Sequence, residues 1–104
     1  MDYITPVELK EKLDANSNLV LLDIREAYEL EICNIGGVHM PMAEIASRAD
    51  ELDNETLIAV LCRSGKRAEA AANFLSVEAG KNAAIVKGGI LEWIETVDNS
   101  LEAY

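Results

Sequence analysis

The segment TLIAVLCRSGKR, residues 56–67, carries the strongest structural signal in the chain. Its first six residues are almost entirely apolar, which predicts a strand buried on both faces, as in a parallel sheet. The strand leads directly into Cys62, and the basic residues Arg63, Lys66 and Arg67 follow within five positions. We therefore predict a junction between a strand and a helix, with a cysteine and a basic cluster at the carboxyl end of the strand.

The residues after this segment predict a helix, a strand and a second helix. The first helix has one small, apolar stripe and ends at Gly80; the stripe consists of Ala68, Ala71, Ala72, Leu75 and Ala79. Residues 83–86 predict a further buried strand. Gly88 and Gly89 then form a turn, and residues 90–97 have the pattern of an amphipathic helix.

The residues before the segment also alternate between helix and strand. The stretch TPVE at residues 5–8 predicts a capped helix start, with Thr at the cap, Pro in the first turn and Glu closing a capping box. A buried strand over residues 19–24 and a short helix over residues 25–32 follow. After the Gly36–Gly37 turn we expect a short strand at residues 38–40, and then a third helix with Ile45, Ala49 and Leu52 on one face. This alternation predicts a single α/β domain, residues 1–104, with a mainly parallel sheet.

Composition excludes several classes of function. The formal charge of -10 disfavours nucleic acid as a partner, because an acidic surface repels phosphate backbones. No apolar run approaches the roughly 20 residues that a membrane span requires, and the start shows no secretory signal. We therefore expect a cytoplasmic protein whose two cysteines are thiols. One histidine and two distant cysteines do not have the ligand spacing of a zinc site, so we expect no metal.

Cys62 is the residue most suited to chemistry. Ligands of open α/β sheets bind beyond the carboxyl ends of strands. Successive N–H groups of a loop, the start of the following helix and the neighbouring cations all favour a thiolate over a thiol there. A cysteine at the end of an apolar strand can also be a small buried hydrophobe, but basic neighbours do not suit an inert core thiol. We expect a reactive thiolate in a pocket for anions.

Four motifs resemble those of the rhodanese family of sulfurtransferases. The stretch CRSGKR at residues 62–67 is similar to the family's active-site loop, in which four residues separate Cys and Arg. Upstream, LLDIRE at residues 21–26 is similar to its first motif, and IGGVHMP at residues 35–41 resembles its next segment. Downstream, VKGGILEW at residues 86–93 resembles its closing Gly-Gly-x-x-x-Trp pattern. The motifs occur in the family's order and cover almost the whole chain.

The resemblance implies a three-layer α/β/α fold with a five-stranded parallel sheet. It also implies a thiosulfate sulfurtransferase, in which the Cys62 thiolate takes the outer sulfur of thiosulfate or of a persulfide donor. The resulting persulfide passes its sulfur to cyanide, a thiol or an accepting protein, without any cofactor. The predicted anion-binding residues are Arg63, Ser64, Gly65, Lys66, Arg67 and Arg25, with Asp23 as a structural support. We expect a monomer that binds a small anionic donor and a thiophilic acceptor.

The sequence leaves the roles of several residues open. Cys33 stands where the family usually has a glycine before His-Ile, and it is either a resolving cysteine or a semi-buried small residue. Arg25 either reaches over the pocket or pairs with Asp23 or Glu26. His39 is a weak candidate for a general base; Trp93 most simply belongs to the core.

Two other functions compete with sulfur transfer. The first is a Cys-dependent phosphatase or arsenate reductase, whose loop has five residues between Cys and Arg, whereas Arg67 comes one position earlier. The second is a non-catalytic binding or sulfur-carrier module of the same fold. A missing loop cysteine would indicate a non-catalytic module, and Cys62 is present.

Overall fold

The computed structural model describes residues 2–104, and within this range five strands and five α-helices alternate. Met1, which the single-domain prediction includes, lies outside the described residues. In chain order the elements are β1 Tyr3–Ile4, α1 Pro6–Asp14, β2 Leu19–Asp23, α2 Ala27–Ile32, β3 Val38–His39, α3 Ile45–Arg48, β4 Leu57–Leu61, α4 Lys66–Val77, β5 Asn82–Val86 and α5 Gly89–Thr96.

The sheet has the order β1-β5-β4-β2-β3, and every neighbouring pair of strands is parallel. The predicted strand at residues 56–61 is the central one, β4, and it pairs with β2 on one side and β5 on the other. The mainly parallel five-stranded α/β fold is therefore confirmed. Because all strands run in the same direction, their carboxyl ends lie along one edge of the sheet, and Cys62 follows β4 at that edge.

Apolar side chains cover both faces of the sheet and form two separate cores. Alternate residues of β4 divide between them, with Ile58 and Val60 on one side and Ala59 and Leu61 on the other. The first core packs against α3 and α4, and the second packs against α1 and α5. Two cores on opposite faces of one sheet produce the three-layer arrangement.

The predicted helix start at residues 5–8 is present in full. The Glu8 N–H donates to Oγ1 of Thr5 at 3.1 Å, and the Glu8 carboxylate accepts from the Thr5 N–H at 2.9 Å. The third predicted helix is broken into α3 and two flanking 3-10 turns, Met42–Glu44 and Ala49–Glu51. Residues 2–104 contain no helix that is long and apolar enough to cross a membrane.

Candidate active site

Cys62 lies between the end of β4 and the start of α4, and only 1% of its surface is exposed to solvent. Two backbone N–H groups donate to its Sγ: that of Gly65 at 3.0 Å and that of Ala68 at 3.4 Å. Gly65 caps α4 in a left-handed conformation, with φ of 103°, which turns the chain sharply around the sulfur. The first N–H groups of a helix have no acceptor within the helix, so this position suits an anionic sulfur.

The loop around Cys62 is held from behind by the start of α5. The Ile90 N–H donates to the Cys62 carbonyl at 2.9 Å, and the Leu91 N–H donates to the Arg63 carbonyl at 3.1 Å. Gly89 permits this close contact, because a Cβ there would lie 2.5 Å from both carbonyl oxygens. The glycine pair that was predicted to form a turn thus also fixes the backbone of the site.

Arg67 forms a bidentate ion pair with Glu29. Its two terminal nitrogens each donate to one Glu29 oxygen at 2.8 Å. The Arg67 hydrogen bonds are the main reason that the pKa of the nearly buried Glu29 is lowered from 4.5 to about 2. Conversely, the pKa of Arg67 is raised, first by Glu29 and to a smaller extent by the nearby Cys62 sulfur. The pair brings α2 against the start of α4 beside the cysteine.

Arg63 is exposed and contacts Tyr104. Its Nε and one terminal nitrogen donate to the Tyr104 main-chain oxygen. Its guanidinium also lies 5.2 Å from the centre of the Tyr104 ring, within the range of a cation–π interaction. The Tyr104 hydroxyl donates to Glu29 at 2.9 Å and accepts from Arg25 at 3.0 Å. Tyr104 thereby links three arginines around the site.

Arg25 is fully buried and pairs with Asp23, which is one of the two alternatives that the sequence left open. Its Nε and Nη2 both donate to the Asp23 carboxylate, at distances from 2.9 to 3.2 Å. Burial acts to lower the pKa of Arg25, but the hydrogen bonds with Asp23 and Tyr104 outweigh it and raise the pKa. Binding a substrate anion would require Arg25 to leave these partners, so its contacts are those of a structural residue.

Cys33 lies beside Arg25, which donates to its Sγ at 3.8 Å and to its carbonyl at 2.9 Å. Cys33 belongs to the core that packs against α1 and α5, whereas Cys62 belongs to the core that packs against α3 and α4. Both are free thiols. The two cysteines therefore face opposite sides of the sheet, which does not favour a disulfide between them.

The remaining predicted residues divide between the site and its surroundings. Ser64 is exposed on the loop, and Lys66 is exposed at the first position of α4. The His39 ring lies 2.7 Å from the Arg25 carbonyl through Nε2, and Trp93 is buried in the second core. Glu29 and Tyr104 contact the arginines of the site but were not among the predicted residues. A capping box at the start of α2, between Glu26 and Glu29, was the one local signal for Glu29.

The arrangement can stabilise a negatively charged sulfur and small anions next to it. Sγ receives two N–H donors at the start of a 12-residue helix, and Arg67 is the second residue of that helix. Because the sulfur is almost buried, it can react only with a slender group that enters the loop. These properties suit nucleophilic attack by a thiolate.

Comparison with known proteins gives a consistent result. Residues 5–96 match the family described as Rhodanese-like domain. The chain is 34% identical over 91 residues to "Putative sulfurtransferase YtwF" of Bacillus subtilis, a match that covers 86% of this chain and 87% of YtwF. It is 38% identical over 85 residues to "Putative sulfur carrier protein YrkF" of the same organism, covering 81% of this chain but only 46% of YrkF.

The fold comparison agrees with the sequence comparison. A crystal structure of a rhodanese-related protein from Thermoplasma volcanium superposes with a TM-score of 0.80 at 33% identity, covering 93% of this chain and 94% of the other. The family match extends over almost all of the described elements, from the cap of α1 to the end of α5. The chain therefore belongs to the rhodanese-like domain family.

Proposed function

We propose that this domain transfers a sulfane sulfur through a persulfide on Cys62. The observation that carries the proposal is the position of Sγ, which lies at the carboxyl end of the central strand and accepts the N–H groups of Gly65 and Ala68. Both donors stabilise a thiolate before the reaction and can stabilise a persulfide anion after it. The sulfurtransferase and sulfur-carrier names of the relatives support the same chemistry.

In the first step, the Cys62 thiolate attacks the outer sulfur of thiosulfate. A new S–S bond forms to Cys62, the bond between the two sulfurs of thiosulfate breaks, and sulfite leaves with the electron pair. No proton is transferred, so the step requires no general base. A persulfide donor reacts in the same way, with its thiolate as the leaving group.

In the second step, a thiophilic acceptor attacks the outer sulfur of the Cys62 persulfide. With cyanide, a C–S bond forms, the S–S bond breaks, thiocyanate is released and the Cys62 thiolate is regenerated. A thiol or a thiolate on another protein can accept the sulfur in the same way. The match to a protein named as a sulfur carrier supports delivery to a protein acceptor.

The geometry of the site supports sulfur chemistry over the competing functions. Only four residues separate Cys62 from Arg67, and Sγ is almost buried, which favours a slender terminal sulfur over a tetrahedral phosphate or arsenate. A binding module that has lost catalysis has no need for two N–H donors aimed at a cysteine sulfur. We therefore favour a catalytic or sulfur-carrying role.

The direct test is thiocyanate formation from thiosulfate and cyanide. We expect turnover by the parent chain and none by Cys62→Ser, because a hydroxyl cannot form a persulfide. Cys33→Ser is the matched control, since Cys33 is also a buried free thiol but lies on the opposite face of the sheet; it should keep most of the activity. Equal activity of the parent and Cys62→Ser would refute the proposed role of Cys62.

A further inference from the structure

Residues 101–104 form a segment that lies against the site, and we call it the Tyr104 strap. It follows α5 and lies outside residues 5–96, which match the rhodanese-like domain family. Leu101 and Tyr104 are both partly buried against the core that packs on α1 and α5. The strap is therefore seated on the domain by apolar contacts, and its polar contacts all go to residues around Cys62.

Those contacts occupy the cations that the loop could otherwise offer to a substrate. Tyr104 holds Arg63 through its main-chain oxygen and its ring, and its hydroxyl supports Glu29, which in turn holds Arg67. Of the three basic residues of the loop, only Lys66 forms no ion pair or side-chain hydrogen bond within residues 2–104. With the strap docked, two nitrogens of Arg63 and both terminal nitrogens of Arg67 already have hydrogen-bond partners, so they are occupied as donors for an anion.

We propose that Tyr104 is a specificity-determining residue that withholds Arg63 from anionic sulfur donors. The docked strap then favours donors that carry at most one negative charge near the transferred sulfur, such as alkyl persulfides, over the thiosulfate dianion. The identity of the bound anion as a sulfur donor rests on the proposed function above. The competition between Tyr104 and an anion for Arg63 does not depend on that function.

The physical basis is that one guanidinium cannot make the same hydrogen bonds twice. Nε and a terminal nitrogen form the fork that binds an oxyanion in a bidentate manner, and these are the two Arg63 nitrogens that donate to Tyr104. Arg63 follows Cys62 directly in the chain, so a released side chain has the length to reach an anion at the sulfur. The main-chain oxygen is present in every variant, but the ring and hydroxyl of Tyr104 seat the strap that places this oxygen against Arg63. Loss of the ring should therefore unseat the strap, release Arg63 and increase the affinity of the loop for thiosulfate.

The test measures thiosulfate binding by calorimetry in the Cys62→Ser variant of this chain, in which sulfur transfer cannot occur. Adding Tyr104→Ala should lower the thiosulfate Kd about fivefold, in keeping with one gained charge-assisted hydrogen-bond pair in a partly exposed site. Adding Arg63→Ala as well should abolish that gain. Tyr104→Phe keeps the ring that seats the strap on the core, so it should change the Kd less than Tyr104→Ala does.

Structural damage to the loop would weaken thiosulfate binding and raise the Kd. Only the release of Arg63 predicts a lower Kd that is lost again when Arg63 is replaced by alanine. If Tyr104→Ala does not unfold cooperatively, Tyr104→Leu takes its place, because it retains apolar contact with the core. A Kd that is unchanged or higher without the ring overturns the proposal, as does the absence of measurable binding in every variant. A gain that persists after Arg63→Ala overturns it too. None of these outcomes depends on turnover, so they are separate from failure of the proposed function.

Discussion

Glu29→Gln is the substitution that most directly tests the electrostatic structure of the site. Glu29 is almost fully buried, and its carboxylate accepts hydrogen bonds from both Arg67 terminal nitrogens, from the Tyr104 hydroxyl and from the Glu26 N–H. Glutamine keeps the shape of the side chain but replaces one acceptor oxygen with an NH₂ donor. One Arg67 hydrogen bond then becomes a contact between two donors, and the buried negative charge is lost.

The expected loss of stability follows from the pKa of Glu29. A decrease from 4.5 to about 2 corresponds to about 3 kcal/mol of folding free energy. The Arg67 side chain is 36% exposed, so water screens part of this interaction, and we expect about 2 kcal/mol at pH 7. For a domain of this size, that corresponds to a decrease in Tm of about 10 °C.

The contribution of Glu29 to the free energy of unfolding depends on pH in a definite direction. Because the pKa of Glu29 is lower in the folded protein than in the unfolded chain, the stabilisation is complete above about pH 5. It decreases as the pH falls below 4.5 and is nearly lost at about pH 2, where Glu29 becomes protonated in the folded protein. The difference in unfolding free energy between the parent and Glu29→Gln should therefore shrink between pH 5 and pH 2.

The assay is urea unfolding of both chains across this pH range. Glu51→Gln is the matched control, because Glu51 also pairs with an arginine, Arg48 at 2.9 Å, but is exposed. It should change stability much less than Glu29→Gln does. A difference between the parent and Glu29→Gln that stays constant down to pH 2, or is absent at pH 7, would show that the ion pair does not stabilise the fold.

Two further predictions concern the backbone and the charge of the site. Gly89→Ala should destabilise the domain by about 3 kcal/mol, because the new Cβ would lie 2.5 Å from two carbonyl oxygens of the loop. Since these carbonyls belong to the loop that holds Cys62, the substitution should also slow labelling of Cys62 by thiosulfate. Gly80→Ala, which has a similar positive φ of 67° but no atom within 4 Å, should have a much smaller effect on both measurements. Arg67→Ala should lower kcat/KM for thiosulfate by about 30-fold, which corresponds to about 2 kcal/mol. Lys10→Ala, on the exposed face of α1, is the control and should leave kcat/KM unchanged. Equal effects of the two substitutions would mean that the Arg67 charge has no specific role.

The sequence predicts the central part of the fold well because long apolar runs are strong local signals. Residues 56–61 and 19–24 correspond to β4 and β2 within one residue at each end. The first strand was not identified from the residue pattern, since Tyr3–Ile4 has two residues and only Ile4 is buried. Its pairing with β5, about 80 residues later in the chain, leaves no periodic pattern near residue 3.

The candidate site was predicted where its residues are adjacent in sequence, and it was incomplete where they are not. Cys62 and the loop residues form one continuous segment that includes the donors of Gly65 and Arg67. Glu29 and Tyr104 reach the same place only through the fold, at separations of 38 residues between Glu29 and Arg67 and 41 between Arg63 and Tyr104. Contacts over such distances depend on the order of the strands, which no short motif encodes.

The central claim is that Cys62 carries the transferred sulfur, and mass spectrometry of the intact and digested chain tests it most directly. After incubation with thiosulfate and removal of the excess, we expect one added sulfur atom on the peptide that contains Cys62 and none on the peptide that contains Cys33. Treatment with cyanide should remove the added sulfur, and Cys62→Ser should not acquire it. A label on Cys33, or no label on the parent chain with either thiosulfate or an alkyl persulfide, would contradict the account.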